Sequence, residues 1–162
     1  MRLRLLLLTL VVLATASLAA EPIYYRLELD IEIDRPAADV WARVGGYCDI
    51  SEWAGLDFEI TQGDGGIGTV RVLRGTVVEP MVAKTELAYG YTQPVVEGQY
   101  YTLYHGFMEA RPVTPTTSKL LYTLVYDISD KADKAAKDAD IAQRRTRFQG
   151  ALENMKAIAE AP

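Results

Sequence analysis

Tyrosine is the residue type in this chain that offers the most chemistry. The 162 residues include ten tyrosines but only one histidine and one cysteine. Tyrosine joins an apolar ring to a hydroxyl that can donate or accept a hydrogen bond. By the period of two in strands, Tyr89 shares a face with Tyr91, and Tyr122 shares a face with Tyr126. Such faces either pack their rings with the hydroxyls at the surface or line a cavity dotted with polar groups.

The cysteine, histidine and carboxylates of this sequence do not form a recognisable catalytic or metal-binding pattern. Cys48 and His105 are each the only residue of their type, so a nucleophile and base pair would need two distant positions to meet. The scattered carboxylates lack the ligand spacing of zinc or iron sites, so no metal is expected. Residues 63–68 match a dinucleotide fingerprint, but a strand follows them instead of a helix, which favours a β-turn. No cofactor is expected.

A strand and two short helices are predicted at the start of the fold. Residues 25–33 alternate apolar and charged side chains, as in a half-buried strand. Pro36 suits a first helical turn, and two glycines at 45–46 end the apolar helix that follows. A second short helix ends at Trp53. We expect Trp41 of the first helix in the core and Trp53 at the mouth of a cavity.

The rest of the chain predicts a sheet followed by one long helix. Pro80 cannot donate a ladder hydrogen bond, so its strand is either an edge strand or carries a bulge. The long helix is predicted to begin with Asp130 as its N-cap and to run to about residue 159. The predicted strands cover residues 57–62, 69–73, 76–86, 88–92, 100–111 and 119–127.

The first half of the long helix has only alanines on its inner face, among alternating charges. One interpretation is a solvated helix of high intrinsic propensity. The other is that small side chains leave volume for a ligand beneath the helix. In that second case Ala135 and Ala139 would roof a cavity, and a leucine at either position would fill it.

The first twenty residues predict a secretion signal. Arg2 and Arg4 precede an apolar run and then small residues ending at Ala20. The run is shorter than the roughly 20 residues of a membrane span. Cleavage would leave residues 21–162 as one periplasmic or secreted domain with no stable membrane insertion. The net charge of −5 and the absence of a basic run argue against nucleic-acid binding.

The order of these elements resembles the START-like superfamily. It includes the major birch-pollen allergen, lipid-transfer domains, abscisic-acid receptors and polyketide cyclase/dehydrase-like proteins. The resemblance implies an α+β helix-grip fold, in which a curved antiparallel sheet of about seven strands wraps round the C-terminal helix, with two short helices after the first strand. The segments that carry it are residues 36–53, 65–73, 77–81, 88–91 and 118–127, with Tyr122 where many relatives carry tryptophan.

The resemblance also implies a ligand pocket between the sheet and the long helix. Arg71 and Glu79 would lie on facing strands as an ion pair, which is either purely structural or functional. In the functional case, Arg71 holds a ligand carbonyl or carboxylate and Glu79 acts as a base. The side chains expected around the ligand are Trp53, Arg71, Glu79, Met81, Tyr89, Tyr91, Tyr104, Met108, Tyr122, Ala135 and Ala139.

Two classes of function follow from this pocket. The first is an exported protein that binds an apolar or aromatic small molecule without chemistry. The second is a cofactor-free cyclase, dehydratase or lyase that acts on a carbonyl-bearing substrate, with Arg71 and Glu79 as the catalytic candidates. Fold does not choose between them, whereas a buried titratable residue without a structural partner would favour chemistry. Apolar residues on the outer face of strands 100–111 and 119–127 also suggest a homodimer contact.

Overall fold

The structure is a computed structural model that describes residues 21–95 and 103–162. The predicted secretion signal and the start of the strand predicted from residue 100 lie outside the described residues. The elements, in chain order, are β1 (Tyr24–Ile33), α1 (Ala37–Val44), α2 (Ile50–Ala54), β2 (Phe58–Gln62), β3 (Val70–Leu73), β4 (Val77–Lys84), β5 (Ala88–Thr92), β6 (Tyr104–Pro112), β7 (Ser118–Asp127) and α3 (Lys134–Glu160).

The seven described strands form one antiparallel sheet that packs against α3. Their spatial order is β1-β7-β6-β5-β4-β3-β2, so the chain returns at β7 to pair with β1 along ten residues of each strand. The α1–α2 pair follows β1, and α3 closes the chain. This is the α+β helix-grip fold that the order of elements predicted.

The first strand and helix follow directly from their residue patterns. In β1, Leu27, Leu29 and Ile33 are buried while their charged neighbours are exposed. In α1, the buried residues recur at helical spacing. The helix ends at Gly45, where an added Cβ would lie 2.2 Å from the Trp41 ring. Only glycine fits at that position, so the predicted break is confirmed.

The strand that contains Pro80 lies inside the sheet, between β3 and β5, and is not an edge strand. The alternative prediction is confirmed, because the pairing of β4 with β5 shifts register between Met81 and Ala83. This bulge follows directly after Pro80, which lies opposite Val70 in β3.

The long helix begins three residues later than predicted. The Asp133 carboxylate accepts a hydrogen bond from the Ala136 amide at 2.8 Å, and its φ of −148° is the extended conformation of an N-cap. Asp130 instead lies in the preceding turn. The buried residues of α3 are Leu152, Met155 and Ala159, all in its second half. None of the described helices is long and apolar enough to cross a bilayer.

The opposite face of the sheet carries a few exposed apolar side chains. Phe107 is 42% exposed, and Leu121 and Val125 on β7 are half-buried. This is the face on which a homodimer contact was expected, and the homodimer stays a prediction.

Candidate functional site

A cavity of about 630 Å³ lies between the sheet, α2 and the second half of α3. Exposed side chains line part of it, so the cavity opens to solvent there. The α2 region contributes Ile50, Trp53, Ala54 and Leu56; the sheet and its connections contribute Arg71, Leu73, Arg74, Val77, Glu79, Tyr89, Tyr91, Gln93, Tyr104, Met108 and Tyr122; and α3 contributes Arg144, Arg147, Phe148, Gly150, Ala151, Leu152, Glu153 and Asn154.

Most of the residues expected at the pocket do line this cavity. They are Trp53, Arg71, Glu79, Tyr89, Tyr91, Tyr104, Met108 and Tyr122. Met81 does not, although it is buried. It lies along a separate groove with residues 45–49, which connect α1 to α2.

The predicted alanine roof is wrong. Ala135 and Ala139 are exposed and lie outside the cavity. Their half of α3 is the solvated helix of the alternative interpretation, with charged neighbours that pair with each other, as Lys134 does with Asp138. The helix packs on the domain from Ile141 onward, so only that part can cover a cavity.

The small residues that do line the cavity from α3 are Gly150 and Ala151. Gly150 lies inside the helix without a positive φ, and a Cβ built on it would meet nothing within 4 Å. Backbone geometry therefore does not require glycine there, and its missing side chain leaves the space open. This position was missed at the level of sequence, and an isolated glycine in a helical pattern is the signal that could have indicated it.

Arg71 and Glu79 form the predicted ion pair at one wall of the cavity. Arg71 donates from Nε and Nη2 to Oε2 of Glu79 at 2.9 and 2.7 Å, and from Nη1 to the Tyr47 carbonyl at 2.8 Å. The other carboxylate oxygen of Glu79 accepts from Gln93 Nε2 at 2.8 Å. Arg71 and Glu79 are 1% and 3% exposed. Both charges are therefore compensated inside the protein before any ligand binds.

Aromatic rings hold this ion pair in place. The Arg71 guanidinium carbon lies 4.0 Å from the centroid of the Tyr47 ring and 5.3 Å from that of Tyr91. The Tyr47 hydroxyl donates to the Glu79 carbonyl at 2.8 Å. Stacking of a guanidinium on aromatic faces adds to the stability of a desolvated cation.

Several hydrogen-bond donors in the cavity wall lack acceptors among the described residues. The buried Trp53 indole N–H makes no hydrogen bond with a described residue, and the buried Tyr89 hydroxyl makes none of normal geometry with one. The Tyr91 and Tyr122 hydroxyls share one hydrogen bond of 2.8 Å. Because one of these two hydroxyls must accept, its own hydrogen remains available to a ligand. The wall therefore offers donors to an oxygen-bearing molecule.

Burial keeps these phenols protonated. Desolvation raises the pKa of Tyr89 above its usual 10, although the nearby Arg71 charge opposes the rise. The pKa values of Tyr91 and Tyr122 are raised further. Desolvation is the main cause, and repulsion from neighbouring phenols and the Glu79 carboxylate adds to it. At neutral pH all three hydroxyls can donate a proton in a hydrogen bond, and none can act as a base.

We expect these three tyrosines not to ionise near pH 10 while the protein is folded. Because each folded pKa lies above the unfolded value of 10, the stability that burial supports is present below pH 10 and falls as the pH rises further. Phenolate absorbance should therefore show fewer tyrosines titrating near pH 10 in the native protein than in the protein denatured by guanidinium. Identical native and denatured titration curves would contradict the burial of these hydroxyls.

Comparisons with known proteins give a family and a set of structural neighbours. A family model described as "Polyketide cyclase / dehydrase and lipid transport" matches residues 25–160. No curated protein is significantly similar in sequence.

Three solved structures illustrate the structural likeness. The Zhui aromatase/cyclase from Streptomyces sp. R1128 is 15% identical, with a TM-score of 0.67 over 85% of this chain and 94% of that one. Truncated norcoclaurine synthase from Thalictrum flavum is 17% identical, with a TM-score of 0.65 over 89% and 99%. Ara h 8.0201 is 19% identical, with a TM-score of 0.60 over 84% and 97%. At these identities the likeness concerns the fold alone.

Proposed function

The chain belongs to the polyketide cyclase / dehydrase and lipid transport family, and from that premise we propose that it binds one small apolar or aromatic molecule in the cavity, without chemistry. The observation that carries the proposal is a cavity of about 630 Å³ whose wall offers unpaired hydrogen-bond donors. Cavities of roughly 300–1,000 Å³ suit small-molecule ligands. The bound molecule would bear at least one acceptor oxygen, because leaving the buried donors unpaired is costly.

The state of Glu79 favours binding over chemistry. A general base must be able to reach a substrate proton, but the Glu79 carboxylate already accepts from Arg71 and from Gln93. Arg71 in turn donates three hydrogen bonds, two to Glu79 and one to the Tyr47 carbonyl. The two residues that were the catalytic candidates therefore form a structural unit in the wall.

Tyr89 supports the second candidate function, a cofactor-free cyclase, dehydratase or lyase. It is a buried titratable residue without a hydrogen bond of normal geometry, and it lines the cavity beside Arg71. Its raised pKa keeps the hydroxyl protonated at neutral pH, so it can donate a hydrogen bond to a substrate carbonyl. If this function holds, Tyr89→Phe should abolish turnover of a carbonyl compound and leave its binding nearly unchanged.

Binding of a neutral apolar fluorophore tests the first proposal. N-phenyl-naphthylamine should bind with one-to-one stoichiometry and gain fluorescence on leaving water. Gly150→Leu should weaken this binding about tenfold, because its side chain enters the open space beneath α3.

Ala139→Leu is the matched control, since it makes a similar change on the same helix at an exposed position outside the cavity. It should bind the probe like the wild type. Absence of wild-type binding, or equal losses in the two variants, would contradict the cavity as the binding site. The unfolding temperatures of both variants show whether either effect comes from misfolding.

We also propose that the domain is exported to the periplasm or secreted. The support is the order of basic, apolar and small residues in the first twenty positions. Mass analysis of the protein from its host should find a mature chain that begins near residue 21, and a chain that retains Met1 would rule this out.

A further inference from the structure

Two arginines at the opening of the cavity have no side-chain partner within residues 21–95 and 103–162. Arg74 follows β3 and Arg147 lies on α3, and both are exposed and line the cavity. Neither side chain makes a hydrogen bond or an ion pair with a described residue. Arg144, which also lines the cavity, is instead held by Asp140 at 2.9 Å and lies 4.4 Å from the Tyr126 ring centroid.

Summed over the side chains that line the cavity, the charge is opposite in sign to that of the whole protein. The chain has a net charge of −5. Arg71 and Arg144 are neutralised by Glu79 and Asp140. This leaves Arg74 and Arg147 against the exposed Glu153 as the uncompensated charges that line the cavity. A local positive charge on an acidic protein favours an anionic ligand group at this place.

The backbone at Arg74 does not account for an arginine there. Arg74 has a φ of +50° in the turn between β3 and β4, a conformation that favours glycine or asparagine. The turn itself would be more stable with either of those residues. The side chain, and not the turn geometry, is therefore what arginine supplies at this position.

We propose that Arg74 and Arg147 bind the anionic end of an amphipathic acid whose apolar or aromatic body fills the cavity. This deepens the proposed function and rests on it. A guanidinium pairs well with a carboxylate or sulfonate through paired N–H donors. The anion stays at the opening because a charge taken into the interior would lose its hydration. Arg71, the one buried cation among the described residues, is already neutralised by Glu79.

A matched pair of fluorophores separates the acid group from the apolar body. N-phenyl-naphthylamine and anilinonaphthalene sulfonate share their rings, but only the second carries an anionic group. The wild type should bind the sulfonate more tightly than the neutral amine, and added salt should reduce the difference. The double variant Arg74→Asn/Arg147→Gln should weaken sulfonate binding about tenfold and change amine binding less than about twofold.

Two controls keep the result specific. Arg145→Gln removes an exposed arginine of the same helix that does not line the cavity, and it should leave both affinities unchanged. Arg74→Asn alone should unfold at or above the wild-type temperature, because asparagine tolerates the positive φ.

The outcomes distinguish the two proposals. Tight amine binding with no preference for the sulfonate, or equal losses in Arg145→Gln and the double variant, overturns the anion site and leaves cavity binding intact. Failure of both fluorophores to bind overturns the proposed function and the anion site with it.

Discussion

Glu79→Gln should lower the free energy of unfolding by about 3–5 kcal/mol, measured by chemical denaturation. The substitution keeps the shape of the side chain but removes its charge. The Arg71 guanidinium, 1% exposed, would remain in the interior without a counter-ion. Its remaining partners would be the new amide oxygen, the Tyr47 carbonyl and the rings of Tyr47 and Tyr91, and none of them carries a charge. Breaking one partner of a buried pair costs more than the pair contributes, because an uncompensated charge is left behind.

The double variant Arg71→Met/Glu79→Leu should be more stable than Glu79→Gln. Removing both charges avoids desolvation of either, and apolar side chains of similar volume can fill the space. It should also keep binding N-phenyl-naphthylamine, since the wall stays apolar. Glu109→Gln makes the same change at an exposed ion pair with Arg111 and should behave like the wild type. A double variant less stable than the single one would show that the pair stabilises the fold beyond its mutual neutralisation.

The residues that share one face of a strand were predictable because side chains alternate every two residues, and the family resemblance implied which face turns inward. Once Tyr89 is placed on the inner face, Tyr91 must share it, and both line the cavity together with Tyr122 of β7. The reversal at residues 74–75 likewise put Arg71 and Glu79 on adjacent strands, where they pair directly across β3 and β4. These relations are local, so the residue pattern is enough to predict them.

The position of the long helix over the sheet was not predictable in the same way. A helical repeat shows which side of a helix is apolar, but not which turns lie over another element. The alanines and the later apolar residues both satisfied the repeat, and the structure places only the later ones on the domain. Gly150 and the arginines of α3 were missed for this reason.

Met81 shows a second limit of the pattern. It has the alternation of an inward residue, and it is buried as expected. Whether an inward residue meets the cavity or the helical connection above it depends on how far that connection extends across the sheet. Met81 lies with residues 45–49 in the separate groove, and no residue pattern specifies that path.

Trp53 lines the cavity as expected but is also buried in the core, whereas Trp41 is not a core residue as expected, and this leads to the second large prediction. Trp53 is 5% exposed and belongs to the core cluster, whereas Trp41 is only partly buried. The Trp41 ring centroid lies 5.7 Å from that of Tyr89, and the Trp41 ring packs against Gly45. Trp53→Ala should therefore lower the free energy of unfolding by about 3–5 kcal/mol. Trp41→Ala should lower it clearly less, and the reverse order would contradict these placements.

Trp53 also lines the cavity, so its packing and its hydrogen bonding can be separated. Trp53→Phe keeps an aromatic ring in the core but removes the unpaired indole N–H. It should retain most of the stability that Trp53→Ala loses, while it weakens ligands with an acceptor oxygen more than N-phenyl-naphthylamine. The chain has two tryptophans, so Trp41→Phe leaves Trp53 as its only indole fluorophore. In that variant, filling the cavity should change the tryptophan emission in proportion to occupancy. If the cavity is saturated with the probe and the tryptophan emission does not change, Trp53 does not lie near the ligand.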